Sequence, residues 1–115
     1  MYLFRPKSYR YATAAEKDLI CNGCGAADAK FDFVPDTVYG LSITPACNIH
    51  DWMYHFAEAT NEEKEKCDRI FLFNMLRIVN DKKGIWMKLR RRRVWKYYKA
   101  VQMFGGPAFW EGKNE

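Results

Sequence analysis

The sequence has no uninterrupted apolar run near the ~20 residues that span a bilayer, so a transmembrane protein is not expected. No apolar stretch of roughly 7–15 residues follows a basic start, so no secretory signal peptide is visible. Cys21 and Cys24 form a Cys-x-x-Cys, but no second such pair completes a zinc site, and no βαβ pattern suggests a thioredoxin-type dithiol. Histidine is scarce. The two residues, His50 and His55, stand five apart, about 140° round a helix, whereas a zinc-binding pair needs four. There is no internal repeat and no low-complexity tract beyond one arginine run. Acidic residues are absent from 82–99, which holds nine lysines and arginines.

That last absence shapes the electrostatics. The net charge is +5, yet removing this segment leaves ten basic against 14 acidic residues, a net of −4. The chain is therefore mildly acidic with one basic helix, and such a helix is drawn to a polyanion: anionic lipid, nucleic acid or an acidic partner. The whole is 115 residues, the size of one domain, and 49% hydrophobic residues with 17% aromatics fit a folded core filled by large rings. Four cysteines, Cys21, Cys24, Cys47 and Cys67, allow three connectivities if they form two disulfides.

The pattern along the chain is mostly helical. Residues 1–12 read as an extended arm. Thr13 with Glu16 has the form of a capping box and opens a helix over 14–21. Asn22-Gly23 stops it. Residues 22–44 lack helical periodicity and form a long loop, with short strands or a wing near Phe31–Val34 and Val38–Ile43. Thr44 as N-cap and Pro45 at the first helical position start a second helix, which runs to about Ala59. Thr60 with Glu63 makes another capping box for a third helix reaching about Asn80. A basic helix spans Ile85 to about Phe104, within the basic stretch 82–104, and Gly105-Gly106-Pro107 ends it. The four tryptophans are expected mainly in the core, with one or two at a lipid interface.

The second and third helices are expected to pair as an antiparallel hairpin. Positions equidistant from the turn near residue 59 then face each other, which sets His50 opposite Asp68. Tyr54 lies one turn beyond His50 on the same face. Asp51 points about 100° away from His50 and serves a neighbouring site. Carbonyls of a glycine-rich loop together with a carboxylate suit a hard cation.

These residues carry a resemblance. Cys47-x-x-His50-Asp51-x-x-Tyr54, followed by Cys67-Asp68-Arg69, with Asn22-Gly23-Cys24-Gly25 upstream, resembles the phospholipase A2 superfamily, and the C-terminal Tyr97-Tyr98-Lys99-Ala100-Val101 resembles its small bacterial, fungal and phage-type members. The resemblance covers about residues 20–80. It implies a mostly α fold: two antiparallel central helices carrying the site, a long calcium-binding loop with a short β wing, and flanking N- and C-terminal helices. It implies calcium-dependent hydrolysis of the sn-2 acyl ester of a glycerophospholipid. His50 would be the general base, Asp68 its partner and Tyr54 the residue holding Asp68. The metal would be Ca²⁺, held by Asp51, the carbonyls of Gly23 and Gly25, and Asn22; the Gly25 N–H would serve the oxyanion. A Cys24–Cys47 disulfide would pin the loop. The family's usual cysteine at the position of Met53 is missing here, leaving Cys67 either free or paired with Cys21, and Ala27 replaces a common loop glycine.

The expected partner is an anionic phospholipid bilayer or micelle, met by Arg90, Arg91, Arg92 and Arg93, with the chain a monomer. Nucleic acid bound by the same basic helix is the less favoured reading, as is a phospholipase-like binding module without turnover. Action outside the cell or on a virion is the expected setting, with a cytoplasmic one left open.

Overall fold

The computed structural model describes residues 2–21, 35–111 and 113. Three long helices dominate. Helix α3 (Thr44–Phe56) and α4 (Asn61–Asp81) flank the short connection 57–60, and α5 (Met87–Phe104) returns along α4. Short helices α1 (Lys7–Tyr11), α2 (Ala14–Ile20) and α6 (Gly106–Trp110) surround them. Strands β1 (Thr37–Val38) and β2 (Leu41–Ser42) pair antiparallel.

The side-chain pairs reveal the direction of each helix. Lys64 lies over the Tyr54 ring and Asp68 meets His50, so residues further along α4 meet residues earlier in α3. Arg91 meets Asn80 and Lys64 meets Val101, which runs α5 antiparallel to α4. The shared core contains Val38, Ile43, Phe71, Met75, Val79, Val94, Val101 and Phe109, nearly all closed to solvent. The stripe on α4 is narrower than its apolar content suggests: Cys67, Phe71, Met75, Ile78 and Val79 are buried, whereas Phe73 is exposed.

Local chemistry explains where the elements stop. The Thr13–Glu16 capping box is complete, each side chain accepting from the other's backbone N–H. At α4 the Thr60 hydroxyl accepts from the Glu63 N–H. Helix α3 starts one residue before the expected position. Ile43, fully buried, flanks it, and the Ser42 hydroxyl accepts from the Thr44 N–H, so Thr44 is helical rather than a cap. It ends at Phe56, not Ala59. Ala57 is extended, and the carbonyls of Tyr54 and His55 are taken by Lys113 Nζ at 2.5 and 3.1 Å, which satisfies two orphan acceptors of the last turn.

Two expectations need correcting at the ends. Within the expected arm Lys7–Tyr11 is helical, because Pro6 opens the short helix α1, its carbonyl accepting from Tyr9 and Arg10. Gly105-Gly106-Pro107 does end α5, but it also starts α6. Proline suits a first helical turn, and burial of Phe109 at the end of that turn rewards it. The expected strand at Val38–Ile43 proves to be a tight hairpin. Tyr39 and Gly40 both have positive φ, 47° and 78°, as a two-residue primed turn demands. The expected strand at Phe31–Val34 lies outside the described residues.

Two side chains of α4 anchor the extended part of the arm: Arg77 donates to the Tyr2 carbonyl at 3.0 Å, and Asn74 pairs with Phe4. Asn74 is fully buried, accepts from the Phe4 N–H at 2.8 Å and donates to the Phe4 carbonyl at 2.9 Å, in the manner of a neighbouring strand. Replacing Asn74 by Ala strands both backbone groups and should cost about 1–3 kcal/mol. Urea unfolding measures the loss, and hydrogen exchange at the Phe4 amide should rise with it; unchanged exchange would mean that the arm is held elsewhere.

Candidate functional site

The centre is Asp68, on the second turn of α4 with 1% of its surface exposed. His50 Nε2 lies 2.8 Å from Asp68 Oδ1, and the Tyr54 hydroxyl donates to the same oxygen at 2.5 Å. Lys64, one turn before Asp68 on α4, donates to Oδ2 at 2.8 Å. His50 and Tyr54 lie on one face of α3 because four residues make just over one turn. Their rings are 4.1 Å apart, and His50 also stacks on Phe71 at 4.4 Å. Tyr54 is boxed in by Phe109, edge-on at 5.0 Å. The three sequence-derived residues therefore converge as the hairpin register implied.

Protonation states follow from burial and partners. Burial alone would raise the Asp68 carboxyl, but hydrogen bonds from His50, Lys64 and Tyr54 outweigh it and hold the group below its ordinary value. An ionised carboxylate only accepts, so Nε2 carries the proton of the His50 ring and Nδ1 holds the lone pair. Burial presses the His50 pKa down, against the pull of Asp68, and keeps the imidazole neutral at pH 7. Burial and the neighbouring carboxylate both push the Tyr54 hydroxyl far up, so it remains a donor. The arrangement is a neutral base with a fixed tautomer, able to take a proton at Nδ1 and to have the resulting charge answered by Asp68.

Asp51 follows His50 on α3 and is buried. Among the described residues no group of three His, Cys, Asp or Glu could hold a metal. The other calcium residues expected from the sequence, Asn22, Gly23 and Gly25, lie outside the described residues, as does Cys24. What can be tested is the stub that leads to them. Cys21 Sγ donates to the Asn48 carbonyl at 3.2 Å, and the Asp51 charge helps raise its thiol. The chain thus reaches residue 21 beside Asp51. A buried carboxylate in that place has the chemistry of a hard-cation ligand.

The cysteines divide clearly. Cys47 is disulfide-bonded, whereas Cys21 and Cys67 are free thiols. The alternative in which Cys67 pairs with Cys21 is therefore excluded. Burial, then Asp51, pushes Cys21 up to about 11; burial, then Asp68, pushes Cys67 up to about 12. Neither is a ready nucleophile.

The basic helix needs correction. Arg90 is buried, with Nε and Nη2 donating to the carbonyls of Val38 and Tyr39 at 3.2 and 2.7 Å. Its guanidinium fork closes the end of the hairpin, and Tyr97 does the same at Thr37. Arg90 is thus no surface residue. Arg91 bonds to Asn80 Oδ1, and Arg93 sits on the Tyr39 ring and bonds to its hydroxyl. Arg92 is exposed. Of the tryptophans only Trp52 is buried; Trp86 and Trp95 face solvent and Trp110 is half-buried. His55 is exposed.

Two site residues escape a reading of the sequence. Lys64 precedes Asp68 by four, a spacing that signals a helical ion pair, but a carboxylate already matched to His50 hides it. Gly105 lies against Tyr54: a Cβ there would come within 2.9 Å of the Tyr54 hydroxyl and 2.5 Å of the Val101 carbonyl. No local pattern announces that approach.

His50 and Asp68 both bind protons more weakly in the fold than in the open chain. The stability they contribute is complete above the ordinary histidine value of 6.5 and is lost as pH falls, first through the His50 range and then, below 3.8, through that of Asp68. Urea titrations across this range should show wild-type stability declining below pH 6.5, with His50→Gln lacking that first decline and keeping the second. A first decline equally steep in His50→Gln would assign it to other groups. Gly105→Ala should destabilise the fold by about 1–3 kcal/mol through the clash of its Cβ with the Val101 carbonyl and then with the Tyr54 hydroxyl.

Comparison of this chain with protein-family models, with curated proteins and with solved structures finds no match, so the site is read from its own geometry.

Proposed function

We propose that this chain is a calcium-dependent phospholipase A2, a member in kind of the superfamily its motifs resemble. The observation that carries the reading is the buried contact of His50 Nε2 with an ionised Asp68 at 2.8 Å, which leaves Nδ1 as the basic nitrogen. A helix-borne His-Asp pair stiffened by a tyrosine suits activation of water rather than metal ligation or covalent catalysis, since no serine or reactive thiol stands beside it among the described contacts.

In this mechanism His50 Nδ1 takes a proton from water as the oxygen adds to the sn-2 ester carbonyl. Asp68 stabilises the imidazolium through Nε2–H, and Tyr54 donates to the same carboxylate oxygen. The tetrahedral intermediate collapses by breaking the acyl C–O bond, and His50 returns the proton to the departing glycerol oxygen. The products are a fatty acid and a lysophospholipid. Asp51, with the carbonyls of Gly23 and Gly25 and the Asn22 side chain, would hold Ca²⁺, which supplies Lewis-acid stabilisation of the carbonyl oxygen and binds the phosphate. The Gly25 N–H is the proposed oxyanion donor.

No described helix is long and apolar enough to cross a membrane, so contact with lipid would be at the surface. Helix α5 offers a face for it. Lys88, Arg92, Lys96 and Lys99 recur at intervals of three and four and are all exposed, with Leu89 and Trp95 among them. Cationic head groups around apolar and aromatic side chains match an anionic bilayer interface. The correction at Arg90 moves the charge from the consecutive arginine run to this helical stripe.

Hydrolysis is tested with vesicles of anionic phospholipid carrying different acyl chains at sn-1 and sn-2, with millimolar Ca²⁺ or with chelator. The expected result is release of the sn-2 acid only, dependent on Ca²⁺ and abolished in His50→Gln. Release undiminished in His50→Gln, or none from folded wild type on any vesicle or micelle, would overturn the reading. Glutamine at Lys88, Arg92, Lys96 and Lys99 should weaken binding to anionic vesicles at low salt by several hundredfold, about 4 kcal/mol at about 1 kcal/mol per charge. Tight binding to nucleic acid but not to vesicles would instead favour the polyanion alternative.

A further inference from the structure

The two oxygens of Asp68 face different parts of the fold. Oδ1 takes its donors from α3, whereas Oδ2 takes the ammonium of Lys64. That ammonium is nearly enclosed, its side chain 12% exposed, and it also donates to the carbonyls of Val101 at 3.0 Å and Gln102 at 3.4 Å in the last turn of α5. Three protons therefore meet three acceptors, and the lysine is fixed from both helices.

The consequence is mechanical as well as electrostatic. Rotation about the Cβ–Cγ bond moves both oxygens, so a carboxylate held at both must give up the charge-assisted hydrogen bond of Lys64 as well as those on Oδ1 in order to turn. With Oδ2 fixed by Lys64, Oδ1 stays on the His50 side. The Lys64 charge also answers a carboxylate that has no solvent to screen it. Tyr54 cannot replace it, because it shares Oδ1 with His50.

We propose that Lys64 is the positioning residue of the His50–Asp68 pair: it fixes the plane of the Asp68 carboxylate and so keeps the His50 Nε2–H on Oδ1. The kinetic part of this inference rests on the reading of His50 as the base, whereas the hydrogen-bond part needs no activity.

The full chain is compared with Lys64→Met, which keeps the stem and removes the ammonium, and with Lys64→Arg, which keeps the charge. Two quantities are measured: the proton resonance of the His50 Nε2–H in ¹⁵N-labelled protein at neutral pH, and kcat and KM on dispersed phospholipid. In Lys64→Met the resonance should shift and broaden by exchange with water, and kcat should fall about tenfold or more, the scale of a misplaced catalytic group. KM should stay within about twofold. Lys64→Arg should restore most of both. A folded Lys64→Met with the wild-type resonance and kcat would overturn the proposal whatever its cost in urea stability, as would a loss confined to KM. Wild type without turnover would sink the hydrolase reading and leave the resonance to decide the role of Lys64. Should Lys64→Met not fold, Lys64→Gln takes its place, with the same outcomes.

Discussion

A carboxylate closed off from water must be answered from inside the protein, and the fold is arranged round the answer to Asp68. Isolated in the interior, that charge would cost several kcal/mol. It is instead met by an imidazole and a phenol from α3 and an ammonium from its own helix. Each donor is in turn held. His50 lies on Phe71, Tyr54 against Phe109 and Gly105, and Lys64 against the last turn of α5. Removing the carboxylate would take an acceptor from three donors, so stability and chemistry depend on the same side chain.

The same constraint explains the unusual C-terminal route. Helix α5 must stop at Phe104 because its last turn supplies carbonyls to Lys64, and the chain must pass Tyr54 closely, which only glycine allows at 105. Pro107 then turns the chain into α6 so that Phe109 covers the tyrosine ring. Lys113 completes the wrap by taking the final carbonyls of α3. Breaker residues that look like a simple stop in the sequence thus form the lid of a polar cluster.

Much of this was legible beforehand, for a physical reason. The His50–Asp68–Tyr54 convergence follows from helical periodicity and hairpin symmetry, and both are local properties of the sequence. The capping residues Thr13 and Thr60 were equally plain. What escaped depends on tertiary placement. Arg90 looks like its neighbours in a run of four, and only the hairpin carbonyls above it make it a buried staple. Gly-Gly-Pro does not reveal that a helix resumes, and Lys64 does not reveal that its ammonium reaches α5. The burial of one aromatic set and the exposure of another, Trp52 against Trp86 and Trp95, depend likewise on which helix face meets the core. The calcium residues Asn22, Gly23 and Gly25 rest on the sequence alone, with Asp51 the part of that set whose place is described.

The central claim is that an ionised Asp68 fixes a neutral His50 with its proton on Nε2. Nitrogen-15 NMR of the imidazole in the intact chain at pH 7 measures this directly. The account predicts a protonated Nε2 and an unprotonated Nδ1, a pattern lost in Asp68→Asn. A ring protonated on Nδ1 alone, or on both nitrogens at that pH, would contradict it.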